Sequence, residues 1–209
     1  MIFCIGAIYA LEVLDAVIIA GNKTFFFLVS DEEHVEASAE NVYLDGGAGY
    51  VLASGKNVYA VYACYFTDSD AQNARKRLSE AGNAVEVVSV KENALYLKTA
   101  REKAFLAEIK SLLNVCYSGI RLFGELAAGA ESGKYTQESL KEILNATASV
   151  LSAKLRDSTK ICASLEDAIK EAYVRLETVV SGIVFAKDLR YMQILLCDGY
   201  LSASKDLSL

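Results

Sequence analysis

The chain of 209 residues has no proline, no tryptophan and a single histidine, and it carries fewer bases than acids. Without proline there is no Pro-rich linker, and nothing removes backbone donors from helix interiors, so helix-rich content is expected. Twenty-seven acids against 21 bases leave a formal net charge of −6. Residues 24–90 hold ten of the acids and only four bases, so the whole imbalance sits there. A nucleic-acid surface needs the opposite sign to neutralise phosphates, and nucleic acid is therefore not an expected partner. The five cysteines, Cys4, Cys64, Cys116, Cys162 and Cys197, show no CxxC pair and no finger spacing. They read as small buried apolar residues. His34 lies among Asp31, Glu32, Glu33 and Glu36, which describes a solvated first helical turn better than a metal site. No nucleophile–base pair is apparent. Gly46-Gly47-Ala48-Gly49 lacks the lysine or the GxGxxG order of a phosphate loop and follows a helix rather than a strand. The chain is expected to be non-catalytic, with no cofactor and no metal.

What is abundant is apolar surface: 53% of residues are hydrophobic and the mean hydropathy is +0.25. Residues 1–21 have the length of a membrane helix but place Glu12 and Asp15 near the centre. Two central acids cost about 5–7 kcal/mol on insertion, and the Leu, Ile, Val and Phe residues return about 3–6. The segment reads either as an apolar helix that anchors the chain in a membrane or as a buried helix with one polar spot. No Lys or Arg precedes it, so an exported anchor implies a basic leader upstream of Met1.

Residues 24–90 contain the same unit twice: apolar strand, helix cap, helix, glycine stop, strand. Residues 24–29 are an apolar run rich in phenylalanine. Ser30 with Glu33 forms a capping box, and Gly46-Gly47 stops the helix that follows. Two strands then flank the turn Ser54-Gly55-Lys56-Asn57. Thr67 with Asp70 repeats the box, and Gly82-Asn83 repeats the stop before a strand over residues 85–90. The order is βαββαβ, an α+β domain with one four-stranded antiparallel sheet and both helices on one face. Strict alternation puts Val58, Ala60, Tyr62, Cys64 and Phe66 on one side and Tyr59, Val61, Ala63 and Tyr65 on the other. The face away from the helices either presents tyrosines to a ligand or packs on the rest of the chain.

This region, with Gly46-Gly47-Ala48-Gly49-Tyr50-Val51-Leu52 and the stretch from Val58 through Tyr65-Phe66-Thr67-Asp68-Ser69-Asp70-Ala71, resembles the SPOR domain of bacterial division and sporulation proteins. The resemblance covers about a third of the chain. It implies peptidoglycan binding, with glycan strands on the open sheet face, Tyr50, Tyr59, Tyr62 and Tyr65 as ligand-binding residues, and a location outside the membrane below an anchor. The family's first strand carries a glutamine and a glycine that Phe25-Phe26-Phe27-Leu28-Val29 lacks.

After residue 90 the period changes to 3.6. Phe105, Ile109, Leu112, Cys116, Ile120 and Phe123 mark one long helix; Thr136 caps a second, Ser164 opens a third, and a fourth follows Lys187. Short connections point to a helical bundle over residues 92–209, whose stripes are core or a surface for a protein partner or self-association. Taken together the domains are residues 1–21, 22–91 and 92–209. The leading reading is a non-catalytic, membrane-anchored cell-envelope protein of sporulation or division that binds glycan. The second is a cytoplasmic regulatory module in which a ferredoxin-like domain binds a small molecule and the bundle dimerises.

Overall fold

The computed structural model of the chain describes residues 16–31, 35–92, 95–98, 103–157 and 161–207. The strands are β1 (Ala16–Ala20), β2 (Lys23–Ser30), β3 (Tyr50–Ser54), β4 (Asn57–Tyr65), β5 (Val85–Glu92) and β6 (Leu95–Lys98). The helices are α1 (Val35–Leu44), α2 (Asp68–Glu80), α3 (Lys103–Glu131), α4 (Gln137–Asp157), α5 (Ala163–Ser181) and α6 (Ala186–Leu207). Strands β2 to β5 and helices α1 and α2 make the expected βαββαβ unit. Its sheet order is β3-β4-β2-β5, antiparallel throughout. Both βαβ halves are split, because each pair of strands joined through a helix has another strand between its members. Four helices follow, as an α+β chain with a helical C-terminal region.

Local chemistry explains the two helix stops. Gly46 and Gly82 adopt φ of 90° and 95°. After α1, Gly46 N–H donates to Tyr43 O and Gly47 N–H to Val42 O; after α2, Gly82 N–H donates to Ser79 O and Asn83 N–H to Leu78 O. That double bond pattern around a left-handed residue satisfies the last carbonyls of each helix, and a residue with a Cβ would be strained there. The Thr67 hydroxyl caps α2, accepting from Asp70 N–H at 3.1 Å. Thr136 caps α4 by accepting from Ser139 N–H at 3.2 Å. The third bundle helix starts one residue earlier than Ser164. There the Glu166 carboxylate reaches back to accept from Ile161 N–H at 2.7 Å and Cys162 N–H at 3.3 Å.

The expected helix over residues 1–21 does not include its last turn, for Ala16–Ala20 is strand β1. It pairs antiparallel with β6: Ala20 faces Leu95 in the register in which Lys23 faces Glu92, and beyond a shift between Ile18 and Ala20 the pairing moves by one residue, so that Ala16 faces Lys98. β1 and β6 form a separate two-stranded sheet that follows on from β2 and β5 along the chain. A short apolar run of Ala-Val-Ile-Ile-Ala carries no periodicity that separates helix from strand, and a partner strand decides it. Glu12, Asp15, Cys4, His34 and the Ser30–Glu33 box lie at least partly outside the described residues. Among the described residues, no helix is long and apolar enough to cross a membrane.

Strict alternation along β4 also fails. Leu28 faces Ala63 while the next residue, Val29, faces Val61, so Tyr62 is an extra residue in β4. Such a bulge shifts the side-chain phase beyond it. Ala60 and Tyr62 point toward α1 and α2, where they meet Leu28, Ala39, Val42 and Ala74. Tyr59 and Val61 point toward the bundle. Past the bulge Cys64 and Phe66 also point toward the bundle, and Tyr65 joins the α1–α2 side. Tyr62 and Cys64, expected on one face, sit on opposite faces.

The bundle covers the second face of the sheet. Phe25, Phe27 and Val29 of β2 are fully buried in one core cluster with Ile109, Leu112, Ile120 and Phe123 of α3 and Leu196 and Tyr200 of α6. Helix α3 packs along α6, α6 along α5 and α5 along α4, while α4 meets α3 only lightly. Two glycines allow close approaches between helices. A Cβ on Gly119 would lie 2.5 Å from Leu196 Cδ1, and one on Gly199 would lie 2.9 Å from the Ser164 carbonyl. The boundary expected at residue 91 falls where strand pairing continues into β6, and the core runs unbroken across it.

Candidate functional site

The tyrosines that the sequence singles out are not gathered into one site. Tyr50, on β3, lies between sheet and bundle, with its hydroxyl donating to Asp198 Oδ2 at 2.8 Å and its ring 5.2 Å from that of Tyr191. Burial, then the Asp198 charge, pushes its pKa well up, so it stays a neutral donor. The Arg175 guanidinium stacks on Tyr191 from 3.5 Å. Tyr59 packs its ring toward the bundle and accepts from Asn57 Nδ2 at 2.9 Å. Tyr62 is buried under α1 and α2, with its ring where a Gly47 side chain would stand. Tyr65 is half-buried on the α2 side. The first two face the bundle and the last two face α1 and α2, and the sheet face on which a glycan would lie is the one that α3 and α6 cover.

A different site stands at the end of β4. Beyond the bulge the strand runs out between α2 and the bundle, and an open cleft of about 600 Å³ forms over Cys64, Tyr65 and Phe66. Helix α2 supplies one wall through Asp70, Asn73 and Arg77. Helix α3 supplies the facing wall through Tyr117, Arg121, Gly124, Glu125 and Ala128, and α6 closes the base with Arg190 and Gln193. A smaller cavity of about 210 Å³ adjoins it, sharing Tyr65, Arg77 and Arg190 and reaching Glu131 and Gly46. The volume suits a small organic ligand, and the lining mixes apolar surface with a few polar groups in the manner of ligand sites.

The base of the cleft is held rigidly. Gln193 is 2% exposed, and its Nε2 donates to the Cys64 carbonyl at 3.1 Å. It fits because α3 has no side chain at Gly124: a Cβ there would stand 2.5 Å from Gln193 Nε2. Gln193 thus ties α6 to the end of β4, where the strand still pairs with β2. Cys64 lines the cleft but is only 4% exposed. Cys197 contacts it from behind, and burial holds the Cys197 thiol far above its ordinary pKa. Buried thiols of this kind are inert apolar groups. The four described cysteines are free, and among the described residues no cluster of three or more metal-ligating side chains occurs.

The charges of the cleft are unevenly satisfied. Arg190, whose side chain is 14% exposed, pairs through Nη2 with Glu131 Oε2 at 2.6 Å. Its Nε–H is buried and makes no hydrogen bond. Arg121 pairs with Glu125 at 3.8 Å, both more than half exposed, a contact of small energetic weight. The Asp70 carboxylate accepts from the Thr67 hydroxyl at 2.6 Å. Arg77 has no ion pair among the described residues. Sequence reading by periodicity passed over these residues. The available signals were two glycines, Gly119 and Gly124, inside a long helix, and the polar Arg190 and Gln193 beside the apolar stripe of α6. Comparison of the chain with known protein families, with characterised proteins and with solved structures finds no match.

Proposed function

We propose that the chain is a ligand-binding protein, without catalysis of its own, that takes a small molecule into the cleft between β4, α2, α3 and α6. The observation that carries this reading is the cleft itself. It is roomy, its base is pinned by Gln193, and it is lined by three arginines and three aromatic rings. Among the lining residues Arg190 is mostly buried and keeps an Nε–H without a partner, a cost that is reasonable where a ligand completes the site. Its described lining includes no histidine, and its one thiol is buried, which favours binding over covalent chemistry. A glycan strand on the sheet would need the face that the bundle occupies, so the small-molecule reading has the better geometry. The two halves then act together, the βαββαβ unit giving the floor and one wall and the bundle giving the rest.

The test is to fill the cleft. Ala128 is exposed on its α3 wall, so Ala128→Trp places an indole in the space without strain in the core. A small molecule at a hundred times its Kd stabilises the native chain by about 2.7 kcal/mol, which for a chain of this size raises Tm by about 5–10 °C. The wild-type chain is expected to show such a rise with a small-molecule library, and the equally folded Ala128→Trp chain to lose it. An unchanged response in the variant refutes the cleft as the site.

A further inference from the structure

Two donors in this cleft are left over after every pairing has been made, and they sit together. Arg190 spends Nη2 on Glu131, and its buried Nε–H has no acceptor. A buried unmet donor beside a cavity calls for a partner that the protein does not supply. Arg77, two turns along α2 from Asp70, lines both cavities with Arg190 and has no ion pair among the described residues. Of the acids around the two cavities, Glu131 is paired with Arg190 and Glu125 lies 3.8 Å from Arg121, while Asp70 accepts from the Thr67 hydroxyl and Asp45 lines the smaller cavity. In the larger cleft three arginines, Arg77, Arg121 and Arg190, stand against two acids, Asp70 and Glu125, so the surplus there is positive. The other end is aromatic. The rings of Phe66 and Tyr117 stand 6.0 Å apart, edge to face, and both line the cleft. Asp70 marks the Phe66 end of α2 and Arg77 lies toward the far end, seven residues or about 10 Å of helix backbone further on.

The geometry points to the class of ligand, an inference that rests on the cleft reading above. It is a flat, ring-bearing oxyanion, with its phosphate or carboxylate between Arg77 and Arg190 and its ring against Phe66 and Tyr117. Arg190 Nε–H gains the acceptor it lacks, and the anion neutralises Arg77. Guanidinium forks suit both headgroups, since each presents two oxygens in the spacing of paired N–H donors. Tyr117 and Phe66 supply edges and faces for stacking.

The probes are phenyl phosphate and phenylacetate, with inorganic phosphate as a headgroup without a ring. Phenethyl alcohol and phenethylammonium serve as a neutral and a cationic ring. Binding to the full chain is followed by backbone amide shifts. The ring-bearing anions are expected to shift Cys64, Tyr65, Phe66 and Arg190 and to bind at least tenfold more tightly than the alcohol and the ammonium. The stronger of the two identifies the headgroup. Arg77→Gln, an exposed change that leaves the fold alone, is expected to weaken the anions about tenfold or more and the alcohol hardly at all. Arg190→Gln does the same, with Glu131 left half exposed. Equal or tighter binding of the alcohol or the ammonium overturns the anion assignment and leaves the cleft as a binding site. So does anion binding that Arg77→Gln leaves unchanged. Inorganic phosphate binding as tightly as phenyl phosphate removes the ring from the assignment. Cleft amides that respond to none of the probes overturn the inference, and the Ala128→Trp experiment separately decides the reading beneath it.

Discussion

A methyl group at Gly124 and an amide at Gln193 compete for the same space, and that competition measures how tightly the cleft base is built. In the wild-type chain Gly124→Ala puts a Cβ 2.5 Å from Gln193 Nε2. The amide has to move, and it gives up its hydrogen bond to the Cys64 carbonyl at 2% exposure. Losing a buried hydrogen bond and stranding its partners costs about 1–3 kcal/mol. Replacing glycine by alanine within a helix returns about 1 kcal/mol. The single substitution is therefore neutral to destabilising by about 2 kcal/mol. In a Gln193→Ala background the amide is gone and the new methyl group enters vacated space, so only the helix gain remains and Gly124→Ala stabilises by about 1 kcal/mol. The sign reverses, and the coupling between the two sites is about 1–3 kcal/mol, well above the few tenths seen for independent sites. Urea titration of the wild type, both single variants and the double variant gives this cycle directly. Additivity to within about 0.5 kcal/mol refutes the argument, since it means that the amide moves aside at no cost and the cleft base is soft.

The continuous core predicts one unfolding transition: Phe27→Ala, at a fully buried site facing the bundle, loses about 3–5 kcal/mol and shifts sheet and helix signals together, whereas two separate transitions contradict a shared core. Alkaline pH has a defined effect through two buried phenols. Burial, then the Asp198 charge, raises the pKa of Tyr50, and burial, then the nearby Tyr117, pushes that of Tyr200 up to about 12. The native chain holds these protons more tightly than the unfolded one. Their stabilisation is complete below the ordinary value of 10.0 and is lost as pH rises toward about 12. Phenolate absorbance that appears for all tyrosines at the ordinary value, with no accompanying unfolding, refutes it.

Much of the secondary structure is legible in the residues alone. The two glycine stops at Gly46 and Gly82 and the caps at Thr67 and Thr136 depend on contacts within about five residues, and the structure has them where the sequence places them. The αβ order and the long α3 stripe follow from periodicity, which is also local. The cleft was not legible, because its walls come from residues as far apart as Tyr65, Arg77, Arg121 and Arg190. No period or spacing marks such a set. The surface signs were small: glycines inside α3 and polar residues beside an apolar stripe.

The sequence by itself determined the βαββαβ order, the helical second half and the helix ends, since these rest on side-chain periodicity and on backbone donors satisfied nearby. Tertiary structure decided three other things. It made residues 16–20 a strand, because β6 offers an antiparallel partner. It moved Tyr65 from the face of Tyr59 to that of Tyr62, because pairing with β2 leaves Tyr62 as one residue too many in β4. It also closed the sheet with α3 and α6 and left a cleft at its end. An apolar face specifies that it must be covered, and only packing between distant elements specifies by what.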